Sequence, residues 1–169
     1  KGQVPTGPLQ HADLYPGWNR ADLADEISGH YQGRDFVLAE LRLTREVRKE
    51  DRDHTTKRIW PVFRGLLIRF ELTRPPDDRI MRDIGSRVSR IWPGEHKYAI
   101  IDEALWLAIP CVRNHFEPGP ITETALQTDD IRQMLADMAE VLDLIQAIAA
   151  RLDQAEKSAG TVWQSGNRY

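Results

Sequence analysis

Between Ile131 and Leu152 one apolar stripe repeats without a break, and it limits what the rest of the chain can build. Ile131, Met134, Leu135, Met138, Val141, Leu142, Ile145, Ile148, Ala149 and Leu152 follow three-and-four spacing, the period of one helix face. Arg132, Asp137, Glu140, Asp143 and Gln146 take the far side. The stripe is wider than a strict coiled-coil seam, so the spacing predicts a long C-terminal amphipathic helix that packs on a sheet. Thr128 or Asp129 is placed to cap its start, and Gly160 to end it. A helix over residues 129–155 is roughly 40 Å long. Burying eight of its apolar side chains, at about 1.5–3 kcal/mol each, dominates the local energetics.

The sheet for that helix is legible upstream. In Asp35–Arg48, Val37, Ala39, Leu41 and Leu43 alternate with Leu38, Glu40, Arg42 and Thr44, the period of a half-buried antiparallel strand. A second run, from Lys57 or Arg58 to Leu72, alternates in the same way through Leu66, Ile68 and Phe70. Pro61 lacks an N–H and Gly65 lacks a side chain, which predicts an edge or a bulge near 61–65. The residues between, Arg48–Lys57, are nearly all polar and read as a solvated hairpin loop. Tyr98–Ile101 and Ala104–Pro110 flank Asp102-Glu103 and read as a tight hairpin. The second of these runs is almost wholly apolar, so it reads as a central strand covered on both faces.

Two segments stay open. Asn19 is placed to cap a short helix ending by Ile27, with a strand at Asp25–Ile27 as the alternative. In Arg79–Ile91, Ile80, Ile84, Val88 and Ile91 fit a helix, whereas Gly85 and the β-branched residues fit a strand. Taken together, the elements predict one α+β domain over residues 18–157, its mostly antiparallel sheet packed against the C-terminal helix. A Gly- and Pro-rich extended lead-in occupies residues 1–17 and a loose tail residues 158–169.

Composition narrows function mainly by exclusion. With 41% apolar and 29% charged residues, the chain is neither disordered nor fibrous. A net charge of -3 asks for no polyanion. Arg74, Arg79, Arg82, Arg87 and Arg90 form the one basic cluster along the sequence, but only Trp92 accompanies them, so no nucleic-acid partner is expected. The lone Cys111 has no partner for an internal disulfide, which suits a reducing, cytoplasmic setting, and it reads as a small buried hydrophobe. No histidine pair stands at helical spacing and no Cys-x-x-Cys exists, so no metal is expected. Phosphate-binding glycine loops and the nucleophile elbow are absent from the sequence, so no cofactor is expected. The chain opens on Lys1 rather than Met and reads as a piece of a longer protein.

Three stretches carry a family resemblance. Tyr31-Gln-Gly-Arg-Asp-Phe-Val-Leu-Ala-Glu-Leu41, Val62-Phe-Arg-Gly-Leu-Leu-Ile68, and Leu105-Trp-Leu-Ala-Ile-Pro110 followed by His115-Phe-Glu-Pro118 are the three. In that order they resemble the bacterial domain-of-unknown-function family numbered 3137. The pattern covers roughly residues 25–75 and 98–150, and it implies more chain between Ile91 and Tyr98 than is present. The resemblance implies an uncharacterised bacterial protein whose relatives carry hydrophobic segments ahead of this domain. That would set it at the cytoplasmic face of the inner membrane, reaching the membrane only through a region outside this chain. It brings no catalytic residue. Phe63, Arg64, Gly65, His115, Phe116, Glu117 and Pro118 are its motif positions, with Gly65 at a bulge and Pro118 positioning the approach to the helix. The expected function is a non-catalytic interaction or regulatory module that binds a protein partner or itself. The alternative is an enzyme using His30 or His115 with Glu117 or Asp102.

Overall fold

The computed structural model describes residues 6–51, 54–92, 94–111 and 128–165. Among them, five strands form one sheet in the order β1-β2-β3-β5-β4, every neighbouring pair antiparallel. The strands are β1 (Arg20–Tyr31), β2 (Arg34–Asp51), β3 (His54–Glu71), β4 (Lys97–Ile101) and β5 (Ala104–Pro110). Three helices complete the fold: α1 (Thr6–Ala12), α2 (Asp78–Ile91) and α3 (Thr128–Ser165). The fold is α+β.

Alternation along β2 divides the core. Leu38, with Leu66, Ile68 and Phe70 of β3 and Leu105, Leu107 and Ile109 of β5, faces α2 and α3. Val37, Ala39, Leu41 and Leu43 face the other way, with Phe63 and Trp106, and Leu9 and Leu14 from the α1 region cover them. Fully apolar β5 sits between β3 and β4 because both of its faces are covered. The two tight hairpins share one device. Gln32 and Gly33, and likewise Asp102 and Glu103, all take positive φ, the geometry of a two-residue turn that matches strand twist.

Several segments depart from the sequence reading. Residues 20–31 are a strand, the alternative left open at Asp25–Ile27, and not the helix: Asn19 caps nothing and instead bonds both ways with the Glu46 backbone, at 2.7 Å each. The lead-in is not wholly extended, since Thr6–Ala12 forms a helical turn or two. Residues 79–91 are helical because Asp77 caps them, its carboxylate accepting from the Ile80 N–H at 2.8 Å, and because Met81, Ile84 and Val88 share the buried face. The polar stretch 48–57 is not a loop. Arg48 pairs with Lys57 and Lys49 with Thr56, and the ladder continues to Asp51 and His54. The expected bulge is present, with Val62 the extra residue between the Leu43–Phe63 and Thr44–Pro61 pairs.

Helix α3 runs through Gly160 to Ser165, so the tail is not loose there; glycine costs a helix about 1 kcal/mol but does not forbid it. Its 38 residues span about 57 Å, and among the described side chains only those from Val141 to Leu152 are buried on the sheet. Val141, Leu144, Ile145, Ile148, Ala149 and Leu152 are buried, whereas Ile131, Leu135 and Leu142 are 38%, 56% and 40% exposed. The docked face thus centres on Leu144 and excludes Leu142. Leu144→Ala is expected to cost about 3 kcal/mol by cavity formation, and Leu142→Ala under about 1 kcal/mol. Equal losses in urea unfolding would contradict this rotation of the helix.

Candidate functional site

Two features of the described surface invite a functional reading: a charged cleft and a projecting ribbon. The cleft, of about 500 Å³, lies where the β3–α2 connection and the first turns of α2 meet the last docked turns of α3. Pro75 and Pro76 stiffen the connection and hold Asp77 in place as the cap of α2.

Its charges are matched. Arg34, its side chain 4% exposed, meets the Glu156 carboxylate at 2.5 Å and donates to the Glu71 carbonyl at 3.2 Å. The Thr73 hydroxyl donates to the second Glu156 oxygen. Arg74 donates to the Ala155 carbonyl at 2.7 Å, and Arg151 to Asp83 at 2.5 Å, with Arg87 at 3.5 Å from the same oxygen. Burial works against ionisation of Glu156, but the Arg34 and Thr73 hydrogen bonds and the Arg34 charge outweigh it and hold the carboxyl below its ordinary range. The Arg151 hydrogen bond does the same for Asp83. A general base needs a free lone pair and a pKa near neutrality. These carboxyls are held below their ordinary range, away from neutrality, and the Thr73 hydroxyl is engaged as a donor. The cleft is a clasp that fastens α3 to the β3–α2 corner.

The residues marked in the sequence do not gather. Phe63 lies in the α1-side core, stacked on Tyr15 with ring centroids 4.3 Å apart. Arg64 is exposed on β3, and its carbonyl accepts from the Cys111 N–H at 3.1 Å. Gly65 is not at the bulge, which falls at Val62, but pairs in register with Leu41; a Cβ there would stand 2.0 Å from the Ile109 carbonyl oxygen, so this glycine lets β5 approach β3. His115, Phe116, Glu117 and Pro118 lie outside the described residues. His30 sits 2.7 Å from Asp35, both side chains more than half exposed, and Asp102 occupies the β4–β5 turn. Cys111 is buried, and burial pushes its thiol up to about 11, the direction opposite to a nucleophile. Among the described residues no three His, Cys, Asp or Glu converge as metal ligands, and no helix is long and apolar enough to cross a membrane.

The ribbon is the feature that no single segment of sequence reveals. Pairing of β1 with β2 stops at Thr44, and β5 pairs with β3 only from Gly65 onward. The Asn19 side chain still holds the Glu46 backbone, and beyond it β2 and β3 continue alone to Asp51 and His54, a free length of roughly 17 Å. The register sorts its charges. Glu46, Arg48, Lys57 and Ile59 share one face, where Glu46 meets Lys57 and Arg48 at 2.8 Å each and Arg20 at 3.9 Å. The Lys57 hydrogen bond, then that of Arg48, holds the Glu46 carboxyl below its ordinary range. The opposite face carries Arg45, Val47, Lys49, Thr56, Arg58 and Trp60, three cations, and ends on the Asp51–His54 pair. Val47, Ile59 and Trp60 are 40%, 49% and 45% exposed.

No family model, curated protein or solved structure matches the chain.

The clasp makes its own prediction. Glu156→Ala strands the buried Arg34 charge and should cost about 2–3 kcal/mol, most of which the double variant Arg34→Met, Glu156→Leu should recover. Because the folded carboxyl sits below its unfolded value, its contribution is present above about pH 4.3 and fades as pH falls through the folded value. Urea unfolding as a function of pH should therefore show a shallower acid limb in Glu156→Ala than in the parent. An unchanged acid limb would remove the clasp as a source of stability.

Proposed function

We propose that the chain is a non-catalytic interaction module whose docking element is the β2–β3 ribbon. One observation carries this reading: the ribbon leaves the sheet and keeps an exposed Trp60, Ile59 and Val47 along a length that contributes nothing to either core. A lone two-stranded ribbon is marginally stable in water, and its open edges invite unwanted pairing. Stability alone does not call for it. Exposed tryptophan and arginine together are the residues that most often anchor interfaces. The closed ion pairs of the cleft support a binding rather than a catalytic role. A reducing, cytoplasmic setting fits the single buried cysteine.

The pairing of Thr44 with Pro61 makes the test direct. Replacing residues 45–61 with Asn-Gly-Thr closes the hairpin in a two-residue turn, the threonine supplying the closing N–H that Pro61 lacks. Neither core loses a residue, so thermal unfolding should stay within a few degrees of the parent. A macromolecule that the intact chain retains from cell extract should be lost from the trimmed chain. Retention of the same set by both, or of nothing by the intact chain, would refute the docking role.

A further inference from the structure

We infer that the α1-side face of the ribbon, Arg45, Lys49, Arg58 and Trp60, binds single-stranded nucleic acid. The inference rests on the ribbon as docking element and names its partner. The residues that form this face are far apart in sequence and interleaved with others. Strand pairing alone brings them together: Trp60 stands opposite Arg45, Val47 opposite Arg58 and Lys49 opposite Thr56. Each of these three levels carries one cation, and the last level, Asp51 opposite His54, carries an acid. Successive levels are about 7 Å apart, two residues of strand rise. Two steps of a stacked nucleic-acid strand, at about 3.4 Å each, cover the same distance. A row of phosphates can thus meet Arg45, Arg58 and Lys49 in turn. Trp60, 45% exposed at the first level, then offers a ring on which a base can stack.

Two simpler uses of such a face fit less well. Charges on free strands often serve only to block edge pairing. That purpose is indifferent to which face holds which sign, whereas here Glu46 and its cation partners share one face and the other carries three cations to one acid, Asp51 at its far end. An anionic bilayer is the second. A ribbon that enters a bilayer needs its apolar residues at the tip. Here Val47, Ile59 and Trp60 lie toward the base, and the levels beyond them hold Lys49, Thr56, Arg48 and Lys57. The chain as a whole carries a net charge of -3, so a polyanion gains nothing from the overall charge and has to be drawn by a local face. The basic run Arg74–Arg90 lacks this arrangement, since Arg87 is drawn to Asp83 and only Trp92 lies nearby in sequence.

Fluorescence anisotropy with a labelled oligo-dT of about 16 nucleotides, the upper end of common site sizes, tests this on the full chain. Contact with three phosphates gives a log–log salt slope near -2, so raising salt fourfold should weaken binding roughly 20-fold. Trp60→Ala should weaken it about tenfold. The combined variant Arg45→Glu, Lys49→Glu, Arg58→Glu should abolish it. An equal charge change on α2, Arg79→Glu, Arg82→Glu, Arg90→Glu, should leave it intact; circular dichroism verifies the fold of each variant. Equal loss in the α2 variant overturns the assignment, as does tighter binding to duplex of the same length or to vesicles of mixed phosphatidylglycerol and phosphatidylcholine. Absence of oligo-dT binding, with a partner still lost from the ribbon-trimmed chain, overturns the nucleic-acid assignment and leaves the docking role standing. If the trimmed chain retains every partner, both fail.

Discussion

Beside Gly65 the Ile109 carbonyl oxygen lies where any other residue would place its Cβ, and the Cys111 N–H reaches back to the Arg64 carbonyl. This close approach fixes the far end of the β3–β5 ladder. From Gly65 to Glu71, β3 has a neighbour on each side, and its residues are buried on one face or both. Before Gly65 it has only β2. The change from a two-sided to a one-sided strand is thus set at a single backbone contact. The Val62 bulge falls just outside it, where the added twist of a bulge is free to turn the ribbon away from the sheet. Pro61, which lacks an N–H, is tolerated because no strand pairs with β3 on its other side there.

Within the sheet, energy comes from two apolar layers of unequal weight. The layer under α2 and α3 contains Phe70, Leu105 and Leu144, and six buried side chains of α3 seal it. The layer under α1 is thinner; small residues such as Ala39, Ala104 and Ala108 let Trp106 lie close to the strands, with Arg69 5.5 Å over its ring. Burial, then the nearby Glu95 charge, pushes the Tyr15 hydroxyl up to about 12, so it stays neutral in this layer. The clasp of Arg34, Thr73 and Glu156 closes the end of the heavier layer where α3 would otherwise fray from the β3–α2 corner.

Much of this was legible in the sequence because it depends on period alone. Val37 through Leu43, Leu66 through Phe70, and the apolar run of β5 each signal their element without knowledge of neighbours. Failures occurred where neighbours decide. Residues 48–57 have too few apolar side chains to read as strand, yet a ladder needs only backbone groups and a partner in register, and β2 supplies both. Leu142 and Leu144 are both compatible with an apolar stripe; which one docks is set by the rotation of α3 on the sheet. Asn19 looks like a helix cap, but its side chain meets the same polar needs at the Glu46 backbone. The motif positions Phe63, Arg64 and Gly65 matter to the fold, through the Tyr15 stack and the β3–β5 approach, rather than to a reaction. The ribbon face was invisible because Arg45 and Trp60 are fifteen positions apart and become neighbours only across the ladder.

The two polar regions follow opposite rules, and the contrast bears on what each is for. At the corner, charges of both signs converge and cancel: Arg34 with Glu156, and Arg151 with Asp83. Such pairs hold elements together. Along the ribbon, Glu46 gathers Lys57, Arg48 and Arg20 on one face. That leaves Arg45, Lys49 and Arg58 on the other without a carboxylate among the described side chains of their face. Like charges held in a row repel one another, and a strand that bears them is less stable for it. Glu46 lies on the far face and does not offset that repulsion, which is why the proposed partner is an anion.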